Sequence, residues 1–392
     1  MAAQATDQVQ ALRRAALWGM LAAKLWGSWG VSWDIQWHVL IGRDSFWIPP
    51  HLMTYSAVTA TVVLSLGILA RETLLALRGR AVPGSLRVAG LVGTPGMHLA
   101  WWGIAITVLA APVDDLWHRL FGLDVTLWSL PHLLGFLGGQ VNSVGCLLLA
   151  MEACPSRRER FLALVGGGAF LFGTFHLLIG PGILWAYEYG GLAFFLYPVL
   201  GALLLPVALV PVTHLSGSRW TPFLTVVLMA LIALAGGGVA KAGFVILAPE
   251  SQIEAAIAED PTSPIAKAHQ MARENRTPVV TATGRARAIS WALLPALFLC
   301  LVEPRRRAVL GSIAFGASYL GVVSLSLAGF PALQPALPAA SQVAAGVVLA
   351  LAAGALGGLA GRWLARALEG SWTARPGALA VERNASGSLR PA

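Results

Sequence analysis

Apolar stretches of about 20 residues, the length a helix needs to cross the hydrocarbon core of a bilayer, recur along almost the whole of this 392-residue chain. Such a chain cannot close around one soluble core, and in lipid each span must satisfy its own backbone polar groups. The expected fold class is therefore an all-α integral membrane protein. Composition agrees, with 57% hydrophobic and 11% charged residues. Spans are expected at about 11–41, 51–77, 91–112, 131–152, 161–184, 191–213, 221–248, 288–303, 308–329 and 340–363, about ten transmembrane helices in all. The first apolar stretch, entered through Arg13 and Arg14, is too long for the core of a cleavable signal and is expected to stay as a span.

The formal charge of +9 comes from arginines at span ends rather than from a basic stripe interleaved with exposed aromatics, so no nucleic-acid partner is expected. Cytoplasmic loops collect Lys and Arg. With the N-terminus inside, inner loops hold Arg78, Arg80 and Arg87, then Arg157, Arg158 and Arg160, then Arg219, then Arg305, Arg306 and Arg307, and finally the tail after Arg362. Both termini are then cytoplasmic, in a multi-pass protein of the cell membrane. The other face receives Asp34, Asp44, Asp114, Asp115, Asp124 and Glu188, together with a hydrophilic connection over 249–287. In that connection Ser251-Gln-Ile-Glu254 reads as a capping box and Ser263-Pro264 as a helix start, which predicts two short helices over the outer surface. The expected organisation is spans 1–4 over 1–153, spans 5–7 over 154–248, the connection, spans 8–10 over 288–367 and a tail over 368–392.

Ionisable side chains at span ends are costly unless paired, solvated or functional. The outer end of span 1 and the start of span 2 carry Asp34, Trp37, His38, Gly42, Arg43, Asp44, Pro50 and His51. The outer end of span 3 and the start of span 4 carry Asp114, Trp117, His118, Gly122, Asp124, Pro131 and His132. The two series align without a gap as far as the second aspartate, and one inserted residue then brings the Pro-His pairs together. This is an internal duplication. Each copy lies between a span going out and a span coming back, so the repeats in helices 1–4 are parallel and both motifs reach one face.

Asp and His four apart share a helix face one turn apart, and a His opening the next helix can close on them. Asp34, His38 and His51, and equally Asp114, His118 and His132, form a set of two imidazoles and one carboxylate that suits copper, iron or zinc and leaves coordination positions open. Asp44 and Asp124 are placed to accept the second ring N–H of a ligating histidine, or to hold Arg43. Trp37 and Trp117 flank the ligands. Either each copy holds its own ion, or the six ligands gather around two. Without a metal, the same residues would be ion pairs pinning helix ends.

The spacing Asp34-x3-His38-x12-His51, with Arg43-Asp44 and Pro49 between the histidines, resembles the copper-site motif of the C subunit of particulate methane and ammonia monooxygenases. The resemblance covers some twenty residues, or about forty with both copies. It implies copper as the metal and a monooxygenase-like oxidation, with the ligand roles on Asp34, His38 and His51. The chain departs from that family in its doubled motif and larger number of spans.

The expected function is a membrane-embedded, metal-dependent oxidoreductase with copper favoured, acting on a small apolar substrate and drawing electrons from a donor the sequence does not name. Its pocket would be lined by Trp33, Trp37, Trp101, Trp102, Trp117 and Trp128. The alternatives are a metal-ion binding or transport protein, or a structural subunit of a larger membrane complex. Further membrane subunits or a second copy are expected partners beside the bilayer itself. His176 and Glu188 are additional candidate ligands, although each reads first as hydrogen-bonded structure. Gln140 and Asn142 are expected to bridge helices. Cys146, Cys154 and Cys300 lack metal-ligand spacing and read as packing residues. Gly166–168 and Gly236–238 read as close helix packing, since no phosphate-loop Lys follows.

Overall fold

A computed structural model describes residues 2–42, 45–80, 82–121, 126–279, 281 and 283–373, with the side chains of 2–6, 118, 372 and 373 left out. The elements are α1 (Ala2–Leu40), α2 (Pro49–Leu77), a hairpin of β1 (Leu86–Val88) and β2 (Leu91–Gly93), α3 (Pro95–Phe121), α4 (Leu130–Ala153) and α5 (Arg157–Ile179). There follow α6 (Gly182–Tyr189), a 3-10 turn, α7 (Leu196–Ser216), α8 (Thr221–Leu247), α9 (Ile253–Glu259) and α10 (Pro264–Glu274). The chain continues with α11 (Gly284–Ser290), α12 (Leu293–Leu301), α13 (Ala308–Ala328), a second 3-10 turn and α14 (Ala340–Thr373).

Among the described residues nine helices are long and apolar enough to cross a membrane, the α5–α6 and α11–α12 pairs each counting once. The protein is thus an all-α, multi-pass membrane protein. The expected first span is α1, which at 39 residues is about 58 Å long and more than spans a bilayer. Its tryptophans, Lys24 and acidic outer end dilute its hydropathy, so it stands outside the nine. The span expected over 288–303 is broken at Trp291-Ala292, because Pro295 has no N–H to bond the Trp291 carbonyl.

Glycines set the closest helix contacts. A Cβ at Gly103, Gly138 or Gly145 would meet backbone of the facing helix, so α3 and α4 pack antiparallel almost backbone to backbone. Asn142 adds a bridge, its Nδ2 donating to the Ala100 carbonyl at 2.6 Å. Gly167 faces Leu147, Gly168 faces Val212, and Gly236 faces Trp29 and Ser32, as the glycine runs predicted, whereas Gly238 faces open space. The three cysteines are buried. Burial pushes the Cys154 thiol, in the α4–α5 junction, up to about 12, in keeping with an inert packing residue.

At the arginine-rich end, Arg13 of α1 is 1% exposed and grips Glu72 of α2 in a two-bond fork of 2.6 and 2.8 Å. The same guanidinium donates to the Pro83 carbonyl and to Ser85 Oγ, at 3.1 and 2.9 Å, and so ties the hairpin's base to the clasp. At the opposite end the 249–287 connection folds back on the bundle. Ser251 Oγ donates to the Leu40 carbonyl, the Gln252 N–H to the Ile41 carbonyl at 2.8 Å, and His269 Nε2 to the Val39 carbonyl at 2.8 Å. Lys267 of α10 pairs with Glu188 of α6 at 2.6 Å.

The two short helices expected in the connection are α9 and α10. Ser263 caps α10, accepting the Ala266 N–H at 3.2 Å, with Pro264 in the first turn. The expected capping box at Ser251 does not form: α9 starts at Ile253 with Gln252 at its N-cap, and Ser251 Oγ accepts the Ile253 N–H at 3.3 Å rather than that of Glu254. His269 is buried beneath the connection.

Candidate metal centre

The described site stands where α1 ends and α2 begins. Asp34 and His38 lie one turn apart on α1. After a short loop, Pro49 and Pro50 start α2 from an extended Ile48 (φ −66°, ψ 148°), which places His51 in the first turn. Two glycines let the helices close. A Cβ on Gly27 would sit 2.9 Å from Ala57 Cβ, and one on Gly30 would sit 2.8 Å from Thr54 Oγ1 and 3.1 Å from the Pro50 carbonyl oxygen. Gly30 therefore sets the distance between Asp34 and His51. Gly30→Val is expected to push the start of α2 away and lower metal affinity at least tenfold while the protein stays helical, checked by metal titration beside circular dichroism.

One ligand-capable atom from each of Asp34, His38 and His51 lies within 4.8 Å of the others. His51 Nε2 is 3.1 Å from Asp34 Oδ1, and His38 Nδ1 is 3.4 Å from the same oxygen. Metal–ligand lengths of about 2.0–2.2 Å set neighbouring ligand atoms about 3 Å apart, so the Asp34–His51 spacing already fits an ion. His38 Nδ1 also lies 2.9 Å from the Asp34 carbonyl oxygen. That contact holds the ring by Nδ1–H donation; an ion bound through Nδ1 beside Asp34 Oδ1 would take the place of that proton. The three side chains are 19–26% exposed, neither sealed in the core nor fully in solvent.

The surroundings are aromatic. Trp33 and Trp37 are buried and meet Phe244 of α8 at 6.1 and 5.9 Å between ring centroids. Gly243 leaves the space that the Trp33 indole fills. On the other side the His51 ring lies 5.7 Å from Tyr55, which packs on Phe46, and Phe46 packs on Trp47. Phe46 and Trp47 are 56% and 70% exposed, an apolar approach beside the ligands.

The second copy is described only in part. Asp114 lies about two turns before the end of α3, and His132 lies in the first turn of α4. His132 Nδ1 lies 2.7 Å from the Thr126 carbonyl oxygen, again consistent with Nδ1–H donation. The His118 side chain and all of Asp124 lie outside the described residues, as do Arg43 and Asp44 in the first copy.

The six tryptophans expected to line one pocket occupy four separate groups. Trp33 and Trp37 are beside the site, Trp101 packs on Trp102, Trp117 on Phe121 and Trp128 on Trp185. His176 and Glu188 are not part of the described ligand set. His176 Nε2 is hydrogen-bonded to the Tyr197 hydroxyl at 3.0 Å, and Glu188 is paired with Lys267.

Two cationic side chains on the inward side of the site escaped the sequence reading. Lys24 of α1 donates to Ser143 Oγ of α4 at 3.0 Å, and Arg285 of α11 donates to Ser32 Oγ of α1. Lys24 carried a signal, as the one charge between Arg14 and Asp34. Arg285 lay in a stretch that reads as loop. Comparison with known proteins finds no protein family, no curated protein and no solved structure that matches this chain.

Proposed function

We propose that Asp34, His38 and His51 hold a metal ion, with copper favoured over iron or zinc, and that the protein is a membrane-embedded oxidoreductase acting on a small apolar substrate. The observation that carries this reading is the convergence of one carboxylate and two imidazoles from two helices beside an exposed aromatic approach. A set of two nitrogens and one oxygen leaves positions open for a substrate or for dioxygen.

In this reading Asp34 supplies negative charge against the ion, and the Asp34 carbonyl fixes the His38 ring. Gly30 and Gly243 set the ligand-bearing helices. Phe46 and Trp47 offer an apolar surface to an incoming hydrocarbon-like molecule, and the α9–α10 connection, hydrogen-bonded to residues 39–41, limits water at the outer end of α1. Bound copper would supply one-electron redox chemistry toward dioxygen, with electrons from an external donor. The arginine-rich end is taken as cytoplasmic, which puts both termini inside, the site outside and the two Asp/His/His copies on parallel repeats in a cell membrane.

Cation transport is the competing reading. Lys24 lies ten residues, about 15 Å, inward of Asp34 on the same helix, and Arg285 reaches Ser32 between them. Positive charge along that route opposes passage of a metal cation. The test is elemental analysis and electron paramagnetic resonance of the purified full-length protein, followed by dioxygen uptake with a chemical reductant and a short hydrocarbon. Copper bound through two imidazole nitrogens, with substrate-dependent dioxygen uptake, is the expected result. A metal-free protein, or ion flux in vesicles without turnover, overturns it.

A further inference from the structure

At the end of the bundle opposite the metal centre, a cleft of about 620 Å³ opens between helix ends. Its lining is charged: His214 and Gly217 from the end of α7, Arg219 from the α7–α8 turn, Glu303, Arg305 and Arg306 from the α12–α13 connection, and Glu369 from α14. We propose that this cleft binds a phosphate-bearing anion, at the depth where a phospholipid presents its headgroup.

The backbone is shaped to bring these side chains together. Gly217 ends α7 in the left-handed region (φ 72°), and its carbonyl accepts from Arg305 Nη1 at 3.4 Å. Glu303 is also left-handed, at φ 56°, a conformation that costs a non-glycine residue about 1 kcal/mol or more. That turn reverses the chain after α12 and brings Pro304 to His214, whose Nε2 donates to the Pro304 carbonyl at 3.3 Å. The arginine run is thereby folded over the ends of α7 and α8.

The charge balance favours an anion. Glu303 lies 3.8 Å from Arg306 of its own connection, which leaves Arg219 and Arg305 facing one lining carboxylate, Glu369. Arg366 stands one turn before Glu369 on α14 and adds to the positive field. The Arg219 guanidinium lies over the Trp220 ring, 5.1 Å from its centroid. Arginine forks from two separate loops match the oxygens of a phosphate. Trp220 and Trp363, 42% and 71% exposed near the same end, sit as aromatic residues do at a membrane interface. Basic pockets between span ends at that level are suited to anionic headgroups.

The full-length protein in a neutral detergent is titrated with short-chain phosphatidylglycerol, short-chain phosphatidylcholine and glycerol phosphate, with binding read by calorimetry. Saturable binding of phosphatidylglycerol at one site, with none of phosphatidylcholine, is expected. Arg219→Gln and Arg305→Gln should each weaken it about 5-fold and the double variant about 25-fold, while Arg158→Gln, exposed on the same end outside the cleft, leaves it unchanged. Equal binding of glycerol phosphate would keep the anion site but assign it to soluble phosphate esters. Unsaturable binding, equal binding of phosphatidylcholine, or full affinity in the double variant overturns the proposal. Should the variants unfold, the unaltered protein still decides: affinity must fall between 50 and 500 mM salt, and a salt-independent constant rejects the site.

Discussion

His51→Ala and His38→Ala are each expected to release the metal from a protein that otherwise keeps its fold. Removing an outer partner of a ligand already costs about 10- to 100-fold in affinity, so removing one of three ligands should exceed about 100-fold. The helices do not depend on these rings, which are about one-fifth exposed and lie at a helix junction rather than in the core. Metal content after dialysis, with thermal unfolding alongside, makes the comparison. Retention of metal by both variants would remove the Asp34 site from the proposal. A loss of unfolding temperature with no metal in the unaltered protein would make the same residues a helix-end clasp. Asp34→Asn separates the two ideas further, because it keeps the carboxylate's shape and one acceptor oxygen while removing the charge a cation needs.

The spans were legible because length and hydropathy alone decide whether a helix suits a bilayer. The pairing of Asp34, His38 and His51 was legible because a helix fixes the i, i+4 face and a Pro-Pro start fixes where the next helix begins. The failures have separate physical causes. The hairpin at 86–93 turns through Ala89 and Gly90, both with positive φ, and the sequence Ala-Gly lacks the Asn or Asp that usually marks such a turn. Ser251 has the spacing of a capping residue, but residues 251 and 252 are tied to the Leu40 and Ile41 carbonyls of the distant α1 end, and the helix starts one residue later than the box requires. His269 in a hydrophilic segment reads as surface, and only the return of that segment onto α1 buries it. For Ser251 and His269 a partner distant in sequence decides the outcome, which local pattern does not encode.

That lesson applies most strongly to Arg13 and Glu72, which are 59 residues apart. From sequence Arg13 reads only as the entry to the first span and Glu72 has no role, yet both side chains are 1% exposed and joined by a two-bond fork. Glu72→Met is expected to destabilise the protein by about 3–5 kcal/mol, because it leaves a buried guanidinium with only Ser85 Oγ and the Pro83 carbonyl as acceptors. Arg13→Met should cost a similar amount by orphaning the carboxylate. The double variant Arg13→Met, Glu72→Met removes both charges and refills the space, so it should recover much of either loss. Arg14→Ala provides the contrast: its partner Glu159 is 3.7 Å away and Arg14 is 42% exposed, so the effect should stay below about 1 kcal/mol. Unfolding of the purified protein in a denaturing detergent gives all four numbers. Additive losses in the double variant would mean that Arg13 and Glu72 stabilise the fold through separate contacts, and the clasp between α1, α2 and the hairpin would have to be abandoned.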